Sequence, residues 1–320
     1  MRILFITHPY PNYVPDLLLH GLRKLLQNRV IDYPKKDCLY QGCLGTGVSD
    51  ESLLVKGWFP DDNDIDREDI KNKIRKDYFK YIIVDLRAFS YFFKNLYQGD
   101  LRSLLVLIDG EDIPQRISPG PYVICQRETD GSDFSIPLPM AIPEEIMQLI
   151  YSYDTMEKKY SIGFLGSYSP LCYERKNFIE TIATHFPDSL LKTTPVPTDD
   201  NPMPQGRIGR IDYYKALQQC KVVLNIKGAG FDTFRFWENF CCNAVHLSQR
   251  MPLFIPHDFQ ENKDFLSFST ATEMITNVRK VLDGLINDRE MILSSRERMI
   301  KYHLTTHRAT YLLNKLKGYK

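Results

Sequence analysis

Arg235 and Glu238 stand one helical turn apart in a stretch whose other members include Phe234, Phe236, Trp237, Phe240, Cys241 and Cys242. A helix so surrounded by apolar surface is expected to be buried on most sides, and residues at this spacing share a face. Buried charge is costly unless it is paired or used. Two outcomes are open: Arg235 and Glu238 pair with each other, or they hold a ligand. Just before them comes an apolar run, Val222 to Ile226, and then Lys227, Gly228 and Gly230. Asp232 or Thr233 can cap the helix. A second glycine-bearing loop, Gly166-Ser167, also precedes a predicted helix. Glycine lets backbone approach a ligand closely, and helix N-termini offer free N–H groups to anions. With Lys227 and Arg235 adding positive charge, these residues have the chemistry of a diphosphate site. Glu238 would accept hydrogen bonds from a sugar ring such as ribose. The alternative is that Gly228 and Gly230 only serve helix entry.

A second set of residues could move protons. Asp85 and Asp109 end two apolar runs, Tyr81–Asp85 and Leu104–Asp109, and Glu111 and Asp112 follow the second. Parallel sheets place ligands at the carboxyl ends of strands. His8 and Asp16 flank the loop after the first predicted strand. They are the candidate bases for deprotonating an acceptor hydroxyl, with Asp85 and Asp109 in reserve. Turn capping and loop placement are the structural alternatives. His246 lies in an apolar strand and reads as core, and His303 and His307 read as caps or pairs near the last helix. Gly42, Gly45 and Gly47 do not join a strand to a helix, so a plain loop is expected. Cys38 and Cys43 lack a second ligand pair for zinc. The seven cysteines read as free thiols of a reducing cytoplasm.

The elements that must position these groups alternate as in a parallel α/β protein. Strands are predicted at 2–7, 30–33, 81–85, 104–109 and 122–125. Helices are predicted from Pro15 to about Gln27, with Leu17, Leu18, Leu22, Leu25 and Leu26 as its stripe, and over 67–79. Three prolines at 136–144 form a stiff connector. It separates a first domain, 1–140, from a second, 141–320, whose last helix is free to return to the first. The second domain begins with a strand at 160–165 and helices at 173–185 and 211–220. It continues through the 222–247 unit and a strand at 265–268 to two helices over 271–300. Residues 193–207 read as loop. The charge balance, 41 Lys and Arg against 40 Asp and Glu, gives no overall pull toward nucleic acid. No run approaches the roughly 20 apolar residues of a membrane span, and Met1-Arg2 leads into a strand and not a signal peptide.

The second half resembles the donor domain of group 1 glycosyltransferases of the two-Rossmann-domain GT-B type, in particular the spore-maturation-protein-like branch. The likeness rests on Leu224 to Glu238, on Ala244-Val245-His246-Leu247, on Ile162 to Ser167, and on a tail with His303, Thr306 and Arg308-Ala309. Leu107 to Asp112 and Gln126-Arg127-Glu128 add weaker matches. The resemblance implies two Rossmann-like domains facing a central cleft. It implies transfer of a sugar from a nucleotide sugar to an acceptor on the first domain, with no metal or other cofactor. Glu238 matches the carboxylate that holds the donor ribose, and Arg235 a position turned to the donor phosphates. Many members carry a further glutamate eight residues before the first, where this chain has Gly230. A non-catalytic nucleotide- or sugar-binding module and a nucleic-acid-modifying transferase are the competing expectations. The acceptor is open: glycan, small molecule or nucleic acid.

Overall fold

A computed structural model describes residues 1–41, 57–60, 64–97, 99, 101–168, 172–195 and 208–319. Gly42, Cys43, Gly45, Gly47 and most of the 193–207 loop lie outside the described residues.

The first half contains β1 (Ile3–Ile6), α1 (Tyr13–Leu26), β2 (Val30–Tyr33), α2 (Ile70–Arg75), β3 (Tyr81–Asp85), α3 (Phe89–Asn95), β4 (Leu104–Asp109), β5 (Val123–Gln126) and β6 (Ile136–Pro137). β1, β3 and β4 are continuous apolar runs because helices cover both faces of a parallel sheet. All six strands are parallel, in the order β2-β1-β3-β4-β5-β6. Asn12 caps α1, accepting the Val14 N–H on its side-chain oxygen. The buried stripe of α1 holds Leu17, Leu18, Leu19 and Leu22, while Leu25, expected inward, is 39% exposed. α2 is shorter than the predicted 67–79 helix and buries Ile70 and Ile74.

α4 (Glu144–Tyr151) crosses to the second half. There follow β7 (Tyr160–Tyr168), α5 (Tyr173–His185), β8 (Leu190–Pro195), α6 (Arg210–Gln218), β9 (Cys220–Asn225), α7 (Phe234–Asn239), β10 (Val245–Gln249), β11 (Leu266–Phe268), α8 (Ala271–Leu282), α9 (Asp288–Tyr302) and α10 (Thr305–Leu316). The second sheet is also parallel, in the order β11-β10-β9-β7-β8. Counted within each half, the first sheet therefore runs 2-1-3-4-5-6 and the second 2-1-3-4-5. In such sheets the chain leaves the first strand in one direction, returns on its other side, and opens a crevice between strands one and three. That crevice falls between β1 and β3 in one domain and between β7 and β9 in the other.

α10 returns to the first domain and packs along α1. A Cβ at Gly21 would strike the Thr305 carbonyl carbon at 2.5 Å, so α1 needs glycine there to meet the start of α10. The Ile142 N–H donates to the His303 carbonyl at 3.1 Å, and the Thr305 N–H donates to the Ile142 carbonyl at 3.0 Å. One large apolar cluster spans the first sheet, α4, α7 and α10, and a smaller one fills the far face of the second sheet. Among the described residues no helix is long and apolar enough to cross a membrane.

Candidate functional site

The carboxyl end of β7 meets that of β9 at the second crevice. Phe164, fully buried in β7, underlies two guanidinium groups. The Arg175 guanidinium lies 5.4 Å from its ring centre and that of Arg235 lies 4.6 Å away. Arg175 projects from the first turn of α5 and ties the two strand ends together. It donates to the Ser167 carbonyl near the end of β7, and to those of Ile226 at 3.0 Å and Lys227 at 2.7 Å after β9. Arg235 donates through Nε to the Leu165 carbonyl at 2.9 Å. Neither arginine forms an ion pair with a carboxylate among the described residues. Burial and the neighbouring Arg235 charge together pull the Arg175 pKa down to about 10. Two like charges held in proximity, with no carboxylate at contact distance among the described residues, are chemically able to take up an anion.

The predicted glycines fit around these arginines. A Cβ on Gly166 would lie 2.9 Å from Cζ of Arg235, so only glycine lets that guanidinium cross β7 so closely. Gly228 faces Arg175, 3.4 Å from where its Cβ would be. Its N–H donates to the Gly230 carbonyl at 2.8 Å, folding the loop tightly. Lys227, expected beside the phosphates, is engaged with a carboxylate. Its ammonium pairs with Glu174 at 3.0 Å beside a cavity of about 360 Å³ that Phe231, Phe178 and Gln249 also line.

Arg235 and Glu238 do not pair with each other. The Tyr214 hydroxyl donates to Glu238 Oε1 at 2.8 Å and the Tyr213 hydroxyl to Oε2 at 3.0 Å. Both tyrosines come from α6, so that helix orients the carboxylate. Each oxygen accepts one hydrogen bond and keeps a lone pair for a second. Burial raises the Glu238 pKa, opposed by the tyrosine hydroxyls and by Arg235.

The structure separates the two expected caps. Thr233 is the cap of α7: its hydroxyl oxygen accepts the Phe236 N–H at 3.3 Å and its hydroxyl donates to the Asn225 side chain at 2.7 Å. Asp232 does not cap α7. It accepts the Met140 N–H at 2.7 Å and the Trp237 indole N–H at 2.7 Å, joining the proline-rich connector to α7.

The candidate bases of the first domain prove to be engaged. Asp16 is buried; it accepts the Asn12 N–H at 2.9 Å and pairs with the fully buried Lys36 ammonium at 3.1 Å. Asp109 accepts the N–H groups of Gln115 at 2.7 Å and Glu111 at 3.3 Å, which clips the loop after β4. Neither offers a free carboxylate to the cleft, because loop and helix-start N–H groups were the stronger claim on both. Asp85 pairs with Arg87 at 2.7 Å. His8 is half-buried at the carboxyl end of β1, and its Nδ1 accepts the Tyr10 N–H at 3.2 Å. Burial and the Arg87 charge lower its pKa, opposed by Asp85. A neutral ring whose Nδ1 accepts carries its proton on Nε2, so in this arrangement the nitrogen left over is a donor.

Two residues escaped the sequence reading. Arg175 sits in a Tyr-Glu-Arg-Lys run that looks like a solvated helix face. Glu128 follows β5 in the first domain, yet it binds the second domain's glycine loop. Its Oε2 accepts the Phe231 N–H at 3.0 Å and its Oε1 the Asp232 N–H at 2.9 Å. Burial, with the Asp232 charge adding and Arg127 opposing, pushes its pKa up to about 7. Gly230 is where the resemblance implies a glutamate. A Cβ there would lie 2.9 Å from Cδ of Glu128, so a carboxylate from the opposite domain fills that place. His246 packs against Phe236 and Phe240 with both ring nitrogens unpartnered, a core histidine. Among the described residues no group of three or more His, Cys, Asp and Glu side chains is placed to hold a metal.

Comparison with known proteins agrees with this architecture. HepE of Anabaena, solved with UDP-glucose, superposes with a TM-score of 0.58 at 10% identity over 99% of this chain and 100% of that one. Its UDP complex gives 0.57 at 9% identity with the same coverage. Sucrose-phosphate synthase of Thermosynechococcus elongatus gives 0.56 at 10% identity, covering 99% of this chain and 98% of that one. The fold is thus the two-domain, parallel-sheet fold of GT-B glycosyltransferases. More particularly, residues 175–314 match the family model described as glycosyl transferase-like. That segment starts at Arg175 and carries Arg235, Glu238 and the glycine loop. No curated protein matches the chain by sequence.

Proposed function

We propose that this protein transfers a glycosyl group from a nucleoside-diphosphate sugar to an acceptor hydroxyl held by the first domain. The observation that carries the reading is the Arg175–Arg235 pair over Phe164, at a crevice between strand ends, with no carboxylate against either guanidinium among the described residues. In the reaction the acceptor oxygen bonds to the anomeric carbon as the bond from that carbon to the diphosphate oxygen breaks, negative charge grows on the departing oxygen, and the acceptor proton passes to the departing diphosphate. Arg235 and Arg175 meet this charge; Gly166 and Ser167, expected as a loop, are the end of β7, and the Gly228 N–H is already given to the Gly230 carbonyl. No metal is required where two guanidiniums do this work. Glu238, oriented by Tyr213 and Tyr214, takes the ribose hydroxyls. The UDP and UDP-glucose complexes of HepE support a uridine nucleotide as the first to try. The weaker matches around Gln126-Arg127-Glu128 keep the spore-maturation-protein-like branch as the finer family reading.

One observation favours a second reading, a nucleotide-sugar-binding module without turnover: Asp16, Asp109 and Asp232 all spend their oxygens on the protein itself. A hydrolysis and transfer assay with a panel of UDP, GDP and ADP sugars separates the two. Release of the nucleoside diphosphate at a rate that Arg235→Ala abolishes supports the enzyme. Tight binding with no release from any donor supports the module.

A further inference from the structure

We propose that Arg127 and Glu128 form an interdomain clasp that positions the phosphate-side loop, residues 228–232, from the opposite domain. The inference rests on the function proposed above and names a device that site depends on. Both residues follow β5 of the first domain directly, and both side chains are buried. Together they grip one short backbone segment of the second domain. Glu128 accepts from the N–H groups of Phe231 and Asp232. Arg127 donates to the Asp232 carbonyl, and its Nε lies 3.7 Å from the Asp232 carboxylate. Arg127 is itself fixed to the first domain through Asp112 at 2.7 Å and the Gly110 carbonyl at 3.2 Å. Donors are matched to acceptors along two successive residues, so the grip is specific in register.

Gly230 is the reason the grip is possible. Besides Glu128, the Asp112 carbonyl oxygen would lie 2.9 Å from a Cβ at this position. Any side chain at 230 must push the loop off the first domain. The loop is flanked by Lys227 on one side and by Thr233, the cap of α7 ahead of Arg235, on the other. Its place therefore sets where Arg235 stands relative to the acceptor-side sheet. Glu128 and Arg127 act through the loop and are positioning residues.

Amide hydrogen exchange over residues 228–236 tests the clasp without any ligand, and UDP titration tests its purpose. With Glu128→Ala, exchange of the Phe231 and Asp232 amides is expected to speed at least about tenfold, since both lose their acceptor. The melting temperature should fall by a few degrees at most, and UDP affinity should fall about tenfold. Gly230→Ala should give the same pattern, and the double variant should be no worse than the more severe single one, because both break one contact. Glu128→Gln puts an amide donor against one loop N–H and carries the same test should the alanine variant not fold. Unchanged exchange in these variants, or fully additive effects in the double, would overturn the clasp. Faster exchange with unaltered UDP affinity would overturn its positioning role. Wild-type protein that bound no UDP would instead sink the function proposed above, with the exchange data still judging the clasp.

Discussion

The two crevices of this molecule are built alike and charged differently. At the first, between β1 and β3, Arg87 ties strand ends together, donating to the carbonyls of Tyr10 at 3.0 Å and Pro11 at 3.4 Å. At the second, Arg175 does the same for β7 and β9. In the first domain each cation found there has a carboxylate in contact: Asp85 for Arg87, Asp16 for Lys36. In the second, Arg175 and Arg235 have none among the described residues. On the function proposed here, the same scaffold gives one crevice whose cations are paired and one whose arginines take an anion. A paired arginine holds a loop, and an unpaired one can hold a substrate as well.

Substitutions that cross the two crevices should separate stability from binding. The largest loss of stability is expected from Asp16→Ala, which strands the buried Lys36 ammonium and should cost about 3–5 kcal/mol. Urea denaturation reads this directly, and UDP affinity of the folded fraction should not change. Arg175→Ala leaves three strand-end carbonyls without their donor and should cost about 3 kcal/mol, while also weakening UDP binding. It is the one position where both properties move together.

Acid is the next probe. Burial holds the His246 pKa down to about 3 and, with Arg308 and Arg298 adding to burial, that of His303 down to about 2. Both are neutral when folded but would take up a proton near pH 6.5 if unfolded. Their contribution to stability is therefore complete above about pH 6.5 and declines as the pH falls toward those folded values. The slope is about 1.4 kcal/mol per pH unit for each histidine. His246→Phe, which keeps the ring among Phe236 and Phe240, should reduce the slope measured by denaturation between pH 6 and 4. The smallest stability effect is expected at half-buried His8, where alanine should change stability by less than about 0.5 kcal/mol. If His8 donates to a bound substrate, turnover should fall while that stability holds.

How much of this was legible in the sequence depended on whether a residue's partner was close along the chain. β1, β3, β4, β9 and β10 announced themselves as apolar runs, and α7 stood out through charges set among aromatics. β8, Leu-Leu-Lys-Thr-Thr-Pro, did not, because an edge strand is half-exposed and carries no apolar run. Arg235 and Glu238 stand out as awkward charges, and their spacing leaves a mutual pair and a ligand site equally open. Two tyrosines from α6 and a carbonyl from β7 compete better, and neither lies within reach of a local pattern. Asp232 looked like a helix cap for the same reason; its partner Met140 is in the connector. Glu128 lies in one of the weaker matching segments, but nothing near it in the chain points to the glycine loop of the other domain. Only the meeting of the two domains reveals that the glycine at 230 and the glutamate at 128 are one contact.

The central claim is that the second crevice is an anion site made by unpaired arginines, and the direct test is calorimetric titration of UDP into wild type, Arg235→Ala and Arg87→Ala. Saturable binding by wild type, an affinity about 10- to 100-fold weaker in Arg235→Ala with an unchanged melting temperature, and wild-type affinity in Arg87→Ala is the result expected for a charge-assisted contact present in only one crevice. Equal affinity in wild type and Arg235→Ala would contradict it, as would a loss in Arg87→Ala matching that in Arg235→Ala.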